Sequence, residues 1–144
     1  MKQSSPSLET TEALANSLAK KLKAGNVLAL TGGLGAGKTT FVKALAKALG
    51  SEDLVQSPTF VYLQIYDAPL PLFHFDLYRM RSSEDFLSMG FEEFFFKGGI
   101  TLIEWPQIIS HLLPADALHL DIQIVSETER LFYFTQGFSD ENPL

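Results

Sequence analysis

The chain has 144 residues, 46% of them hydrophobic, with 11 Lys and Arg against 17 Asp and Glu and no cysteine. At about 150 residues per domain this length holds one domain, and a chain of this size buries roughly 70% of its unfolded surface, enough for a core without staples. The lack of cysteine excludes disulfide frameworks, thiolate zinc sites and cysteine nucleophiles.

The longest charge-free run, Ala24–Gly37, is 14 residues long and contains five glycines, short of the ~18 apolar residues a membrane span needs. The segment Met1–Pro6 is polar and has no apolar signal core. A cytoplasmic protein with no membrane partner is expected. Residues 1–50 carry seven Lys and two Glu, whereas residues 51–144 carry four Lys or Arg and fifteen Asp or Glu. Nucleic-acid affinity comes largely from Lys and Arg on phosphates, so independent binding of DNA or tRNA is not expected. A small anion near the basic front fits better.

Residues 1–7 read as a flexible tail. From Thr10 the apolar positions Ala13, Leu14, Leu18, Ala19 and Leu22 recur at helical spacing, with Thr10 or Thr11 as the cap and Gly25 as the stop. Val27–Leu30 is a short apolar run of the kind buried on both faces of a sheet. A glycine-rich turn follows, then a helix over Thr39–Leu49 with Phe41, Val42, Leu45 and Leu49 as its stripe. Phe60–Tyr66 and Leu72–Leu77 predict a hairpin around Asp67–Pro71. Ser82 and Asp85 have capping-box spacing for a helix to Met89. Phe91–Phe96 predicts a helical turn or two, Ile100–Ile103 a second buried strand, and Gln107–Leu113 a short helix. Ala117–Val125 and Leu131–Thr135 close the domain. The expected fold is α/β: one P-loop domain over residues 8–137, a mostly parallel central sheet with an antiparallel hairpin extension, and a second tail at 138–144.

Gly32-Gly33-Leu34-Gly35-Ala36-Gly37-Lys38-Thr39 fits G-x-x-x-x-G-K-S/T without a mismatch. Glycines let the backbone curl until successive N–H groups face phosphate oxygens. Lys38 can reach the β- and γ-phosphates, Thr39 can offer its hydroxyl to Mg2+, and the helix that follows, with Thr40, adds its N-terminal partial charge. The pattern stands after a buried strand and before a helix, as the chemistry requires. A P-loop also needs an acidic group at the end of a neighbouring strand. Glu104 follows Ile100–Ile103 directly, and spacing alone leaves it either a metal ligand or a solvent-facing strand-end carboxylate. Asp76 reads on its own as a strand-end carboxylate paired with Arg79. His74 alternates with apolar neighbours and reads as a packed core histidine. His111 and His119 lack a metal-like partner pattern. The aromatics of Phe91–Phe96 cannot all face one side, leaving a buried cluster or an exposed edge for a partner.

The nucleotide is read by elimination. No Asn is followed by Lys and no Asp precedes Gly by three positions, so the guanine-specific signals are missing. Only Arg79, Arg81 and Arg130 are present, too few for the arginine-bearing lid of a small-molecule kinase. ATP hydrolysis leads, with a small-molecule kinase and a non-hydrolysing nucleotide-sensing scaffold as the alternatives.

From about Leu8 to Arg130 the chain resembles the TsaE (YjeE) family, the ATPase component of bacterial tRNA threonylcarbamoyladenosine biosynthesis. The resemblance rests on Leu34–Thr40, Ser57-Pro58-Thr59-Phe60, His74-Phe75-Asp76-Leu77-Tyr78-Arg79, Gly90-Phe91-Glu92-Glu93 and Ile103-Glu104-Trp105-Pro106 in that order. It implies ATP and Mg2+ as cofactors, with Thr39 and Glu104 as the metal ligands. It implies a switch-like segment at Ser57–Phe60 with Thr59 near the γ-phosphate or the metal shell, and Asp76 close to the nucleotide, where it orients the attacking water or holds a metal-bound water. Trp105 then lies beside the metal carboxylate and reports on nucleotide. Apart from the resemblance, Arg130 on the closing strands is a candidate to approach the base or sugar. The implied partners are TsaD and TsaB, with tRNA contacted only indirectly. The family commonly has Asp where this chain has Gly33.

Overall fold

The computed structural model describes residues 2–56, 58 and 61–136. Its seven-stranded sheet comprises β1 (Lys2–Ser5), β2 (Val27–Thr31), β3 (Leu63–Tyr66), β4 (Leu72–Asp76), β5 (Ile100–Glu104), β6 (Leu118–Ile124) and β7 (Arg130–Gln136). The strand order is β1-β7-β6-β2-β5-β4-β3. The four central strands β6, β2, β5 and β4 are parallel, and β7, β1 and β3 add antiparallel edges. The parallel centre and the β3–β4 hairpin agree with expectation. Apolar runs such as Leu28-Ala29-Leu30 stand there because β2 is covered on both faces.

Side-chain alternation sorts the core into two layers. Leu28, Leu30, Leu72, Leu102, Leu120 and Phe132 face the helices α1 (Leu8–Ala19) and α2 (Lys38–Ala48). Val27, Phe73, Phe75 and Ile103 face the other way, toward α3 (Ser83–Ser88) and the 3-10 turns at Phe91–Phe96 and Pro106–Leu112. In the first of these turns Phe94 packs on Phe73, Phe91 on Phe75 and Phe95 on Phe86. Phe95 is buried, Phe91 and Phe94 are partly buried against this layer, and Phe96 is left 79% exposed, so three of the four aromatics pack inward and one stays outside.

Three expectations need correction. Residues 2–5, expected within a flexible tail, form β1 against β7 in the register Lys2↔Tyr133 to Ser5↔Arg130. Ser5 is buried, and its Oγ lies 2.6 Å from the Thr11 hydroxyl. A polar strand at a sheet edge pairs through backbone alone, so no apolar alternation announces it. The cap of α1 is Ser7, whose Oγ accepts from the Thr10 amide at 3.2 Å. Thr11 is drawn into the helix and buried, and the helix ends at Ala19, well before Gly25. Finally, β3 begins at Leu63 because the Val61 and Tyr62 amides both donate to the Pro58 carbonyl, at 3.1 and 2.6 Å, with Tyr62 at φ 67°. Ser82 caps α3 as expected, accepting from the Asp85 amide. The segment 138–144 lies outside the described residues. Among those described, no helix is long and apolar enough to cross a membrane.

Ser7→Ala removes the cap of α1. It should cost about 1 kcal/mol, read as a fall of roughly 2–4 °C in melting temperature with the circular dichroism spectrum otherwise retained.

Candidate functional site

The carboxyl ends of the parallel strands meet in register. Leu30 of β2 stands opposite Glu104 of β5, Glu104 opposite Asp76 of β4, and Thr31 opposite Asp121 of β6. Ligands of open α/β sheets bind at this edge. The glycine loop leaves β2 here and turns straight into α2. Gly32 sits at φ 140°, where a Cβ would lie 2.4 Å from the Ile122 carbonyl oxygen, and no other residue type passes β6 that closely. Gly37 is left-handed at φ 98°, and its carbonyl accepts from the Phe41 amide at 2.9 Å to open α2.

A cavity of about 310 Å³ lies over this loop, lined by Leu34, Gly35, Ala36, Gly37, Lys38, Thr39, Thr40, Asp76, Tyr78, Glu104 and Trp105. Lys38 is almost fully buried, donates to the Gly32 carbonyl at 2.5 Å and stacks its ammonium 3.4 Å from the Trp105 ring centroid. Burial pulls the Lys38 pKa below 10.5, while Glu104, Asp76 and Asp121 oppose that shift. Trp105 reaches this position by leaving β5 in a left-handed turn at φ 57° before Pro106, and the Tyr78 ring packs against it at a centroid distance of 5.0 Å.

Thr39 Oγ1 lies 3.2 and 3.3 Å from the two carboxylate oxygens of Glu104. Adjacent corners of a Mg2+ octahedron with ~2.1 Å bonds are about 3.0 Å apart, so this oxygen pair fits one small cation between them. Among the described residues no group of three or more His, Asp and Glu forms a metal cage. Such a cation would take its other ligands from phosphate and water. Glu104 is only 2% exposed, against the solvent-facing alternative left open by its spacing. Asp76, also buried, accepts from the Tyr78 amide at 3.0 Å.

Two residues of the site were not singled out as functional from sequence. His74 is fully buried as a core histidine should be, yet its Nε2 lies 2.6 Å from Glu104 Oε2 and its Nδ1 2.9 Å from the Tyr66 hydroxyl. Tyr66 donates in turn to the Gln56 carbonyl at 3.1 Å, and burial raises the pKa of its phenol. The polar spacing of His74 with Asp76 on one strand face was the available signal.

Arg130 is brought to the loop by β7. Its Nε donates to the Ala36 carbonyl at 3.0 Å and its Nη1 to the Ser126 carbonyl at 2.8 Å. The guanidinium braces the loop from behind. It also lines a second cavity, of about 390 Å³, that shares Ala36, Gly37 and Thr40 with the first and extends to Pro6, Ser7, Thr11 and Thr128. Thr59, with Ser57 and Phe60 of the switch-like segment, lies outside the described residues.

A glycine loop that opens a helix from the carboxyl end of a central parallel strand, with a buried acid on the adjoining strand, places the chain in the P-loop NTPase fold class. The chain belongs to the TsaE family: the family described as "Threonylcarbamoyl adenosine biosynthesis protein TsaE" matches residues 5–132. The chain is 44% identical to the tRNA threonylcarbamoyladenosine biosynthesis protein TsaE of Bacillus subtilis, over 88% of this chain and 80% of that protein. It is 38% identical to the protein of the same name from Rickettsia bellii, over 90% of this chain and 91% of its relative. The crystal structure of YdiB from Bacillus subtilis superposes with a TM-score of 0.81 at 36% identity, covering 99% of this chain and 88% of that one.

The direction of the Lys38 shift gives a stability prediction. With its pKa lowered on folding, the folded protein binds fewer protons than the unfolded chain in the window below 10.5, so stability rises with pH there. Relative to Lys38→Met, which lacks the titrating group, the wild-type protein should gain melting temperature as pH climbs toward 10.5. Paired thermal melts across that range check it.

Proposed function

We propose that this protein binds and hydrolyses ATP with Mg2+ and serves tRNA threonylcarbamoyladenosine formation in the cytoplasm, acting on the TsaD–TsaB transferase complex. The observation that carries this reading is the convergence of Lys38, Thr39, Asp76 and Glu104 on one cavity at the glycine loop. Family membership supports the pathway, and the acidic rear of the chain supports a subunit that leaves tRNA to its partners.

In this reading the backbone amides of the loop face the β-phosphate, and Lys38 exchanges its Gly32 carbonyl for β- and γ-phosphate oxygens. Because the ammonium is already desolvated, that exchange loses little hydration. Thr39 and Glu104 would hold Mg2+, which when bound would supply neutralisation of charge on the phosphates. Asp76 orients the attacking water, whose oxygen bonds to the γ-phosphorus as the bridging oxygen leaves with ADP. The cavity behind Gly37 receives the sugar and base, with Arg130 and Thr40 on its wall. P-loop catalysis is mainly positioning and charge stabilisation, so a partner that completes the site would raise a weak intrinsic rate.

The test is ATP hydrolysis by the protein alone and with TsaD–TsaB. Stimulation by the complex is expected, and Lys38→Ala should lower the stimulated rate by roughly 10²–10³, the cost of losing one preorganised charge-stabilising donor. Unaltered hydrolysis with a verified active complex would overturn partner gating. Nucleotide binding with no turnover in any combination would favour the scaffold.

A further inference from the structure

Glu104 is gripped from behind as well as from the cavity side. A line of hydrogen bonds crosses three strands, from Glu104 on β5 through His74 on β4 and Tyr66 on β3 to the carbonyl of Gln56, with steps of 2.6, 2.9 and 3.1 Å. All three side chains are buried, at 2%, 0% and 3% exposure. We propose that His74 is a positioning residue that fixes the Glu104 carboxylate toward Thr39 and a divalent cation, and that Tyr66 anchors the His74 ring to the backbone at Gln56. The inference rests on the reading above that Thr39 and Glu104 hold the cation.

The geometry argues for positioning over filling space. Position 74 pairs with Leu102 and Gln64 and lies between the buried Phe73 and Phe75 on β4, yet both imidazole nitrogens are used, one on each side. Oε2 takes the His74 bond and also lies 3.3 Å from Thr39 Oγ1, whereas Oε1, 3.2 Å from the same hydroxyl, has no second protein donor among the contacts described. A glutamate has three rotatable torsions, and Thr39 alone cannot hold them once its hydroxyl turns to a metal. His74 can, because its own ring is fixed at Nδ1. Partners of this kind orient metal-binding carboxylates, and their loss typically weakens metal affinity about 10–100-fold.

The experiment uses Mn2+ as the probe, followed by electron paramagnetic resonance of free Mn2+ over the protein–ADP complex, with ADP affinity measured separately in EDTA. His74→Leu should weaken Mn2+ about 10–100-fold while metal-free ADP affinity stays within about twofold of wild type. His74→Gln, whose amide nitrogen reaches toward Glu104 as Nε2 does, should recover most of the loss. Tyr66→Phe should weaken Mn2+ several-fold with the fold intact. A packing role predicts instead that ADP and Mn2+ affinity fall together and that Gln rescues no better than Leu, which would overturn the proposal. So would Mn2+ affinity unchanged in His74→Leu, or in Tyr66→Phe should the Leu variant not fold. Glu104→Gln separates the two readings. If it too leaves Mn2+ affinity unchanged, the metal assignment itself falls and takes this inference with it; if only the His74 and Tyr66 variants are silent, the metal assignment stands and positioning alone is wrong.

Discussion

Burying the Glu104 carboxylate at the end of a central strand is unfavourable unless donors and cations surround it, and the site is organised by that requirement. Thr39 meets it from the helix, His74 from the neighbouring strand, and Lys38 through space. Each is where it is because β4, β2 and β5 run parallel and end level with one another. Shift β5 by one residue against β2 and the carboxylate turns to the α3 layer, where Phe75 and Phe86 offer it nothing. The register of the two strands is therefore as much a part of the site as the glycine loop.

The ammonium of Lys38 answers a related difficulty. A cation withdrawn from water needs partners of its own, and it takes the Gly32 carbonyl and the face of Trp105. Trp105 is available for this because the chain accepts a left-handed residue directly after Glu104, a conformation that costs energy and is concentrated at functional sites. Carboxylate, ammonium and indole thus form one compensated unit before any ligand arrives.

Which parts of this were legible in the sequence follows from how local their causes are. The glycine loop, α2 and the apolar strands are written in adjacent residues, and their expected positions agree with the structure to within a residue or two. Ser7 as the cap of α1 was equally local, but Thr10 and Thr11 offered competing hydroxyls. β1 was invisible, because Lys2–Ser5 binds β7 through main-chain groups that every sequence shares. The bonds of His74 and Tyr66 depend on the register of three strands, which neither residue encodes alone. Arg130 reaches the loop from 94 positions away and grips the Ala36 carbonyl, an attachment that only the closing of β7 beside β6 creates.

Gly33 differs from its neighbours in the loop. Gly32 is glycine because Ile122 leaves no room, and Gly37 because the chain turns left-handed there, but a Cβ at position 33 would meet nothing within 4 Å and no unusual φ is imposed. The backbone would accept an aspartate there. What separates the two residues is one negative charge on the loop proposed to receive phosphate, in open space where no packing changes with it. Position 33 is thus a place where the pull of this loop on an anion, and its sensitivity to salt, can be tuned by evolution or by design while the scaffold beneath stays the same.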